Sequence, residues 1–307
     1  MTTEPFPIPS RLNVGLALLL ICLYLIIFWA AGQAEGWWVV ALLAAAYAIF
    51  MNTGYALLHE AEHNLLHPNH EINEALGTVL ALFFPAPFHL LRQGHLGHHL
   101  RNRSDDEAFD FYFEGENPVW KYLQFYGILT GLFWAVIALS NLLTVLSPRL
   151  LRPRYTNFDR PSQAVLESLN PRYNHVIQAE ALLVFLLHGA MVSNFTIPIW
   201  HYVIILSAFG FTWSALQYVH HFRTVRDVRN GARNLKTWAL LDMVWLNHNW
   251  HLRHHRYPTI PWIHLPNVDE GRVSSRGSLV LAYLRMWSGP RFSPERVQNL
   301  YADKIIR

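Results

Sequence analysis

The sequence predicts an all-α integral membrane protein, with about four transmembrane helices, further interfacial or re-entrant helices, and a histidine-rich site for two metals on one membrane face. Three observations predict it. Four stretches are apolar over the roughly 17 to 25 residues that a helix needs to cross a bilayer. Charged residues make up 15% of the chain, against roughly 25% in soluble domains. The deficit is localised, because residues 12–91 and 173–221 contain no Lys or Arg although the chain holds 24. Finally, many of the 18 histidines stand where apolar stretches end.

The spans are predicted at residues 14–31, 37–58, 176–193 and 200–219 of one membrane-embedded domain, 1–307. Residues 32–36 join the first pair and 194–199 the second, and neither loop has Lys or Arg. The positive-inside rule places both loops outside and both termini in the cytoplasm, as expected of a multi-pass protein of the cell (inner) membrane. The polar, Pro-containing segment before residue 14 does not read as a cleavable signal, and the run after it is long enough to remain as an anchor.

A fifth apolar stretch, 122–146, would invert the histidines after it if it crossed. Arg149, Arg152, Arg154, Arg160 and Arg172 follow it and argue for the cytoplasm. It is therefore expected to be re-entrant or interfacial, with Gly127, Gly131, Ser140 and Asn141 as turning points. Residues 75–84 are too short to span and end at Pro85 and Pro87, so they too are expected at the interface.

The formal charge of +3 is too weak to argue for nucleic acid. A single Cys22 leaves no internal disulfide and no thiolate cluster for zinc or iron and sulfur. Any electron carrier must then be another protein.

With this topology His59 and His63 continue off the second span, and His95, His98 and His99 follow the short apolar stretch. His220 and His221 cap the fourth span, and His248, His251, His254 and His255 lie beyond it. Spacings of three and four put imidazoles on one helical face. The eight in the His59, His95 and His251 groups exceed the four ligands of a zinc site and suit two irons. Singletons such as His67, His70, His89, His175, His188, His201 and His264 are expected to be structural.

His-x-x-x-His at 59–63 and His-x-x-His-His at 95–99 and 251–255 resemble the three histidine boxes of the membrane fatty acid desaturase and hydroxylase family. Asn73-Glu-Ala-Leu-Gly77 between the first two boxes, Arg92 before the second, and Asp105, Asp106 and Asp110 after it extend the resemblance over most of the chain. It implies that the eight histidines hold two irons (Fe2+/Fe3+) that use O2 as co-substrate. Imidazole suits iron, and neutral ligands leave it electrophilic. Glu60, Glu62, Asp105, Asp106 and Asp110 are the candidates for fixing imidazole tautomers.

Acyl-CoA-type relatives add a histidine from the last span, four residues after an asparagine. Gln217 and His221 have that spacing here, with glutamine in place of asparagine. His221 is the expected ninth ligand, His220 and His248 are its rivals, and Gln217 is a candidate to hold a metal-bound water. The chain shows no fused cytochrome b5 module. A separate ferredoxin-, rubredoxin- or cytochrome b5-like protein with its reductase is implied.

The expected activity is an O2-dependent, non-haem di-iron oxidoreductase acting on a fatty acyl or other long aliphatic chain, in first place a fatty acid desaturase. Hydroxylation and oxidative decarboxylation to a terminal alkene are the alternatives at the same site. Arg92, Arg223, Arg253 and Arg256 are the candidates for meeting an anionic head group. A rival of another class is also written in the sequence: His59-Glu60-Ala61-Glu62-His63 matches the H-E-x-x-H of zinc metalloproteases. A protease would leave both His-x-x-His-His groups without a purpose.

Overall fold

The computed structural model describes residues 6–147, 152–156, 159–268, 276–302 and 304–306. Arg149, used above for orientation, lies outside them. The chain forms helices α1 (Ser10–Gln33), α2 (Trp37–Glu62), α3 (His70–Phe83), α4 (Phe88–Arg101), α5 (Pro118–Leu129) and α6 (Leu132–Leu146), then α7 (Arg160–Ser168), α8 (Asn174–Asn194), α9 (Ile199–Val219), α10 (Ala239–Val244), α11 (His251–Arg256) and α12 (Leu279–Met286). Two parallel pairs of two-residue strands pin the C-terminal section: β1 (Phe111–Tyr112) on β4 (Arg291–Phe292), and β2 (Leu235–Lys236) on β3 (Gly277–Ser278).

Among the described residues four helices are long and apolar enough to cross a membrane: α1, α2, α9, and α8 with the short turn that leads into it. α2 and α9 form the heart of the bundle. Polar contacts tie this apolar core, with Asn52 Nδ2 donating to Thr212 Oγ1 at 3.0 Å across the α2 and α9 contact. At Gly54 a Cβ would collide with the Tyr24 hydroxyl, so a side chain there would push α1 off α2.

The fifth apolar stretch breaks into α5 and α6, bent by 90°. Of the expected turning points it uses Gly131, whose φ of +93° lies in the left-handed region that glycine adopts without cost. α3 and α4 are likewise bent by 99°.

Their hinge, Phe84 to Pro87, is buried within the bundle. Pro85 and Pro87 interrupt the helical ladder, and exposed carbonyls inside a membrane protein need internal donors. Four successive carbonyls find them on three helices: His188 on Leu82 (2.8 Å), Tyr47 on Phe83 (2.6 Å), Trp134 on Phe84 (3.1 Å) and Asn141 on Pro85 (2.8 Å). This hinge turns α4, with its histidines, toward the end of α2.

Candidate metal centre

Nine histidines gather into two groups at the end of the bundle. His59, His63, His95, His99 and His254 offer nitrogens within 4.8 Å of one another, and so do His98, His221, His251 and His255. The grouping cuts across the sequence motifs. Residues four apart on a helix share a face, so His59 and His63, His95 and His99, and His251 and His255 stay together. His98 and His254, between those faces, each turn to the neighbouring group. The groups share a wall, with the His99 and His255 ring centroids 4.5 Å apart.

In the first group Nε2 atoms face one another in series: His63 to His95 at 2.8 Å, His95 to His99 at 3.1 Å, and His99 to His254 at 2.9 Å. A ring nitrogen has one proton or one lone pair, so His95 and His99 cannot satisfy two such neighbours each. His59 Nε2 is buried with no hydrogen-bond partner among the described residues. Imidazole nitrogens about 2.1 Å from one metal and at right angles would be ~3.0 Å apart. The donor set therefore fits a cation. The second group repeats the spacing, with His251 Nε2 at 3.0 Å from His221 Nε2 and 3.2 Å from His255 Nε2.

Neutral imidazole is the ligating form, and the surroundings enforce it. Burial, with the charge of Arg92, pulls His63 down to about 3. Burial and neighbouring imidazoles hold His95, His99, His251, His254 and His255 well below the usual range. His221 is lowered by burial and by His98.

The second group is oriented from behind. His221 Nδ1 donates to Gly231 O at 2.8 Å, and His98 Nδ1 to Glu107 Oε2 at 2.6 Å, which leaves both Nε2 lone pairs for the group. Arg101 Nε holds the other Glu107 oxygen at 2.9 Å. Glu107 lies inside the acidic run but was not among the carboxylates singled out from the sequence. The only signal for it was position, nine residues beyond His98.

The named acidic residues do other work. Asp105 accepts from Arg226 and the Val297 amide, Asp106 from Arg160 and Asn299, and Asp110 from Arg103, Tyr218 and the Arg223 amide. Asp105 and Asp106 staple the loop after α4 to the C-terminal section, and Asp110 ties it to the end of α9. Glu60 Oε2 accepts from the Trp262 amide at 3.1 Å, one residue around α2 from the histidine face. Glu62 Oε2 is buried without a partner among the described residues.

Gln217 accepts from the Tyr55 hydroxyl at 3.3 Å and donates to Trp213 O. His220 is buried, its Nε2 without a hydrogen-bond partner among the described residues and its ring 4.8 Å from that of His251. His248 stands outside both groups, 5.0 Å from the His59 ring, and a small cavity beside it is walled by Ala56, Leu246, Trp262 and Leu265.

Of the head-group candidates, Arg253 is buried, lies over Trp250, and donates to the carbonyls of Leu265 and Pro266. Arg92 is engaged by Glu74 (2.5 Å) and Asn64 (2.8 Å), Arg256 donates to Asn230, and Arg223 is exposed over Phe222. Singleton histidines have structural partners: His188 as above, His201 on Ala31 O (2.7 Å), and His89 between Glu180 and Glu74.

The model of the fatty acid desaturase family matches residues 35–285, more than half of the chain. No curated protein matches it.

Proposed function

The chain is a multi-pass membrane protein of the fatty acid desaturase family, and on that premise we propose that it holds one iron in each histidine group and uses dioxygen to desaturate a fatty acyl or other long aliphatic chain. The observation that carries this reading is the pair of adjoining imidazole groups, five and four strong, with nitrogens facing one another. Bound there, two irons would supply dioxygen activation and the power to remove hydrogen from an unactivated C–H bond.

The residues of the chain do the rest. His59, His63, His95, His99 and His254 would hold one metal, and His98, His221, His251 and His255 the other. Gly231 O and Glu107 keep the Nδ1 protons of His221 and His98, so those rings cannot turn away. Ala56, Leu246 and Leu265 line a small cavity beside His59 and His254, and on this reading a methylene of the substrate would be presented from that side.

Forming an alkene takes two hydrogens from the chain, and reducing dioxygen to two waters takes two further electrons and two protons. A separate electron-transfer protein must bring those electrons to the cytoplasmic face of the cell membrane, where this reading puts the site and both termini. The zinc-protease reading gains no support: five histidines crowd the first group, and Glu60 is committed to Trp262.

The test is purified protein assayed for metal and for products on free acids, acyl thioesters and alkanes. Two irons per chain and an internal alkene are expected. One zinc without iron would overturn the di-iron assignment, while an alcohol, or a terminal alkene with carbon dioxide, would redirect the outcome at the same site.

A further inference from the structure

We propose that α10 and α12 are inserted into the membrane leaflet on the metal side, so that the C-terminal section is a membrane-embedded cap and not a domain standing in water. The lipid-facing lengths of the helices do not match. On α2 the outward apolar face shows Leu42 and Ile49 and then ends, because Met51–Glu62 are buried on every side. Trp37 to Ile49 covers about 20 Å at 1.5 Å per residue. The hydrocarbon core is ~30 Å thick. On α9 the exposed apolar residues likewise stop at Phe211, about 20 Å from Ile199.

α1 shows that lipid continues past that level. The Tyr24 hydroxyl donates to Phe50 O at 2.9 Å, which sets the two residues at one depth. Asn13 reaches Leu66 O at 2.9 Å, so α1 runs antiparallel to α2 toward the metal side. Between Tyr24 and Leu12, about 18 Å of helix, α1 still exposes Leu19, Leu18 and Leu12. The bilayer therefore extends beyond Ile49.

α9, α3, α1 and α4 bury α2 beyond Ile49, and the α10 segment joins the bundle at that depth. Trp245 Nε1 donates to Ile49 O at 3.2 Å, and ahead of it Trp238, Leu240 and Met243 are 82%, 68% and 61% exposed. β2 and β3 lie side by side and launch α10 and α12 together, and α12 packs on α9. The outer face of α12 exposes Leu281, Leu284 and Trp287. Lys236 and Arg285 are also exposed, cations suited to anionic head groups. A soluble surface does not hold so many large apolar side chains together; continuous with the lipid-facing sides of α2 and α9, they complete the missing ~10 Å of apolar belt.

The test uses the full chain in proteoliposomes and reads neither metal nor turnover, so its failure is separate from failure of the proposed activity. In a Cys22→Ser background, single labelled sites are made by Leu240→Cys, Leu284→Cys, Leu42→Cys as lipid reference and Glu295→Cys as aqueous reference. Labels at 240 and 284 should be quenched several-fold more by acyl-chain nitroxide lipids than the label at 295, and be shielded from iodide. Quenching by iodide as strong as at 295 overturns the proposal, and so does shielding from both quenchers, which would mean a second polypeptide covers the surface. Photolabelling of the unaltered chain with an acyl-chain diazirine lipid gives the same decision without substitutions: labelled peptides must include residues 238–244 and 279–287.

Discussion

The two histidine groups draw on the same helices, α4 and α11, yet they are held in opposite ways. The second group is anchored from outside: His98 by Glu107, itself paired with Arg101, and His221 by Gly231. The first is held from within, its Nε2 atoms facing each other and His59 Nε2 without a partner among the described residues. His89 marks a third environment, an imidazole between the carboxylates of Glu180 and Glu74. Burial among imidazoles keeps a ring neutral and available to a metal, whereas the two carboxylates on either side of His89 keep it charged as a structural cation. Orientation from behind should make the second group the better preformed site, and the first more dependent on its metal.

The largest expected effect separates the groups outright. His95→Ala should abolish turnover and leave about one iron per chain, and His251→Ala should do the same through the other group. Metal analysis of both variants decides: loss of both irons from either would mean that the groups form one indivisible site.

Next comes the pair at the end of α9. His221→Ala should lower turnover by orders of magnitude with the fold retained, while His220→Ala, about 100° around the helix, should be milder. Equal, nearly full activity in both would remove the last span from the metal site, and selective loss in His220→Ala would exchange their roles.

A smaller effect tests the anchoring itself. Glu107→Gln keeps the size of the side chain but loses the charge that orients His98, and should weaken metal retention in the second group by about 10- to 100-fold. Chelator titration followed by metal counting should show one of the two irons leaving early. Asp110→Asn, which acts on Arg103 and Tyr218, should change thermal stability and not that difference.

The smallest concerns the third environment. Burial opposes the charge of His89, but hydrogen bonds to Glu180 and Glu74 prevail and raise it from 6.5 to about 9. A raised pKa contributes stability that is fully present below 6.5 and is lost as pH rises through about 9. His89→Gln should therefore lower Tm at neutral pH, with the gap to the native chain closing toward about pH 10. The His89 ring also stacks on Tyr173, with centroids 5.0 Å apart, and a gap independent of pH would show that this packing, and not charge, is what His89 contributes.

The periodicity of the sequence was enough for the helices and for the histidines. Apolar length marked the four long helices, and spacing of four kept His95 with His99 and His251 with His255. Both are local properties, fixed by the pitch of a helix and the thickness of a bilayer. Tertiary structure alone decided which residues stand behind them. That His98 joins the group of His221, that Glu107 and not Asp105, Asp106 or Asp110 holds an imidazole, and that Arg253 turns inward depend on partners brought from distant segments. The buried hinge at Phe84 and Pro85 is of the same kind: it survives only because donors from α2, α6 and α8 reach its carbonyls, and no window of sequence around it contains them.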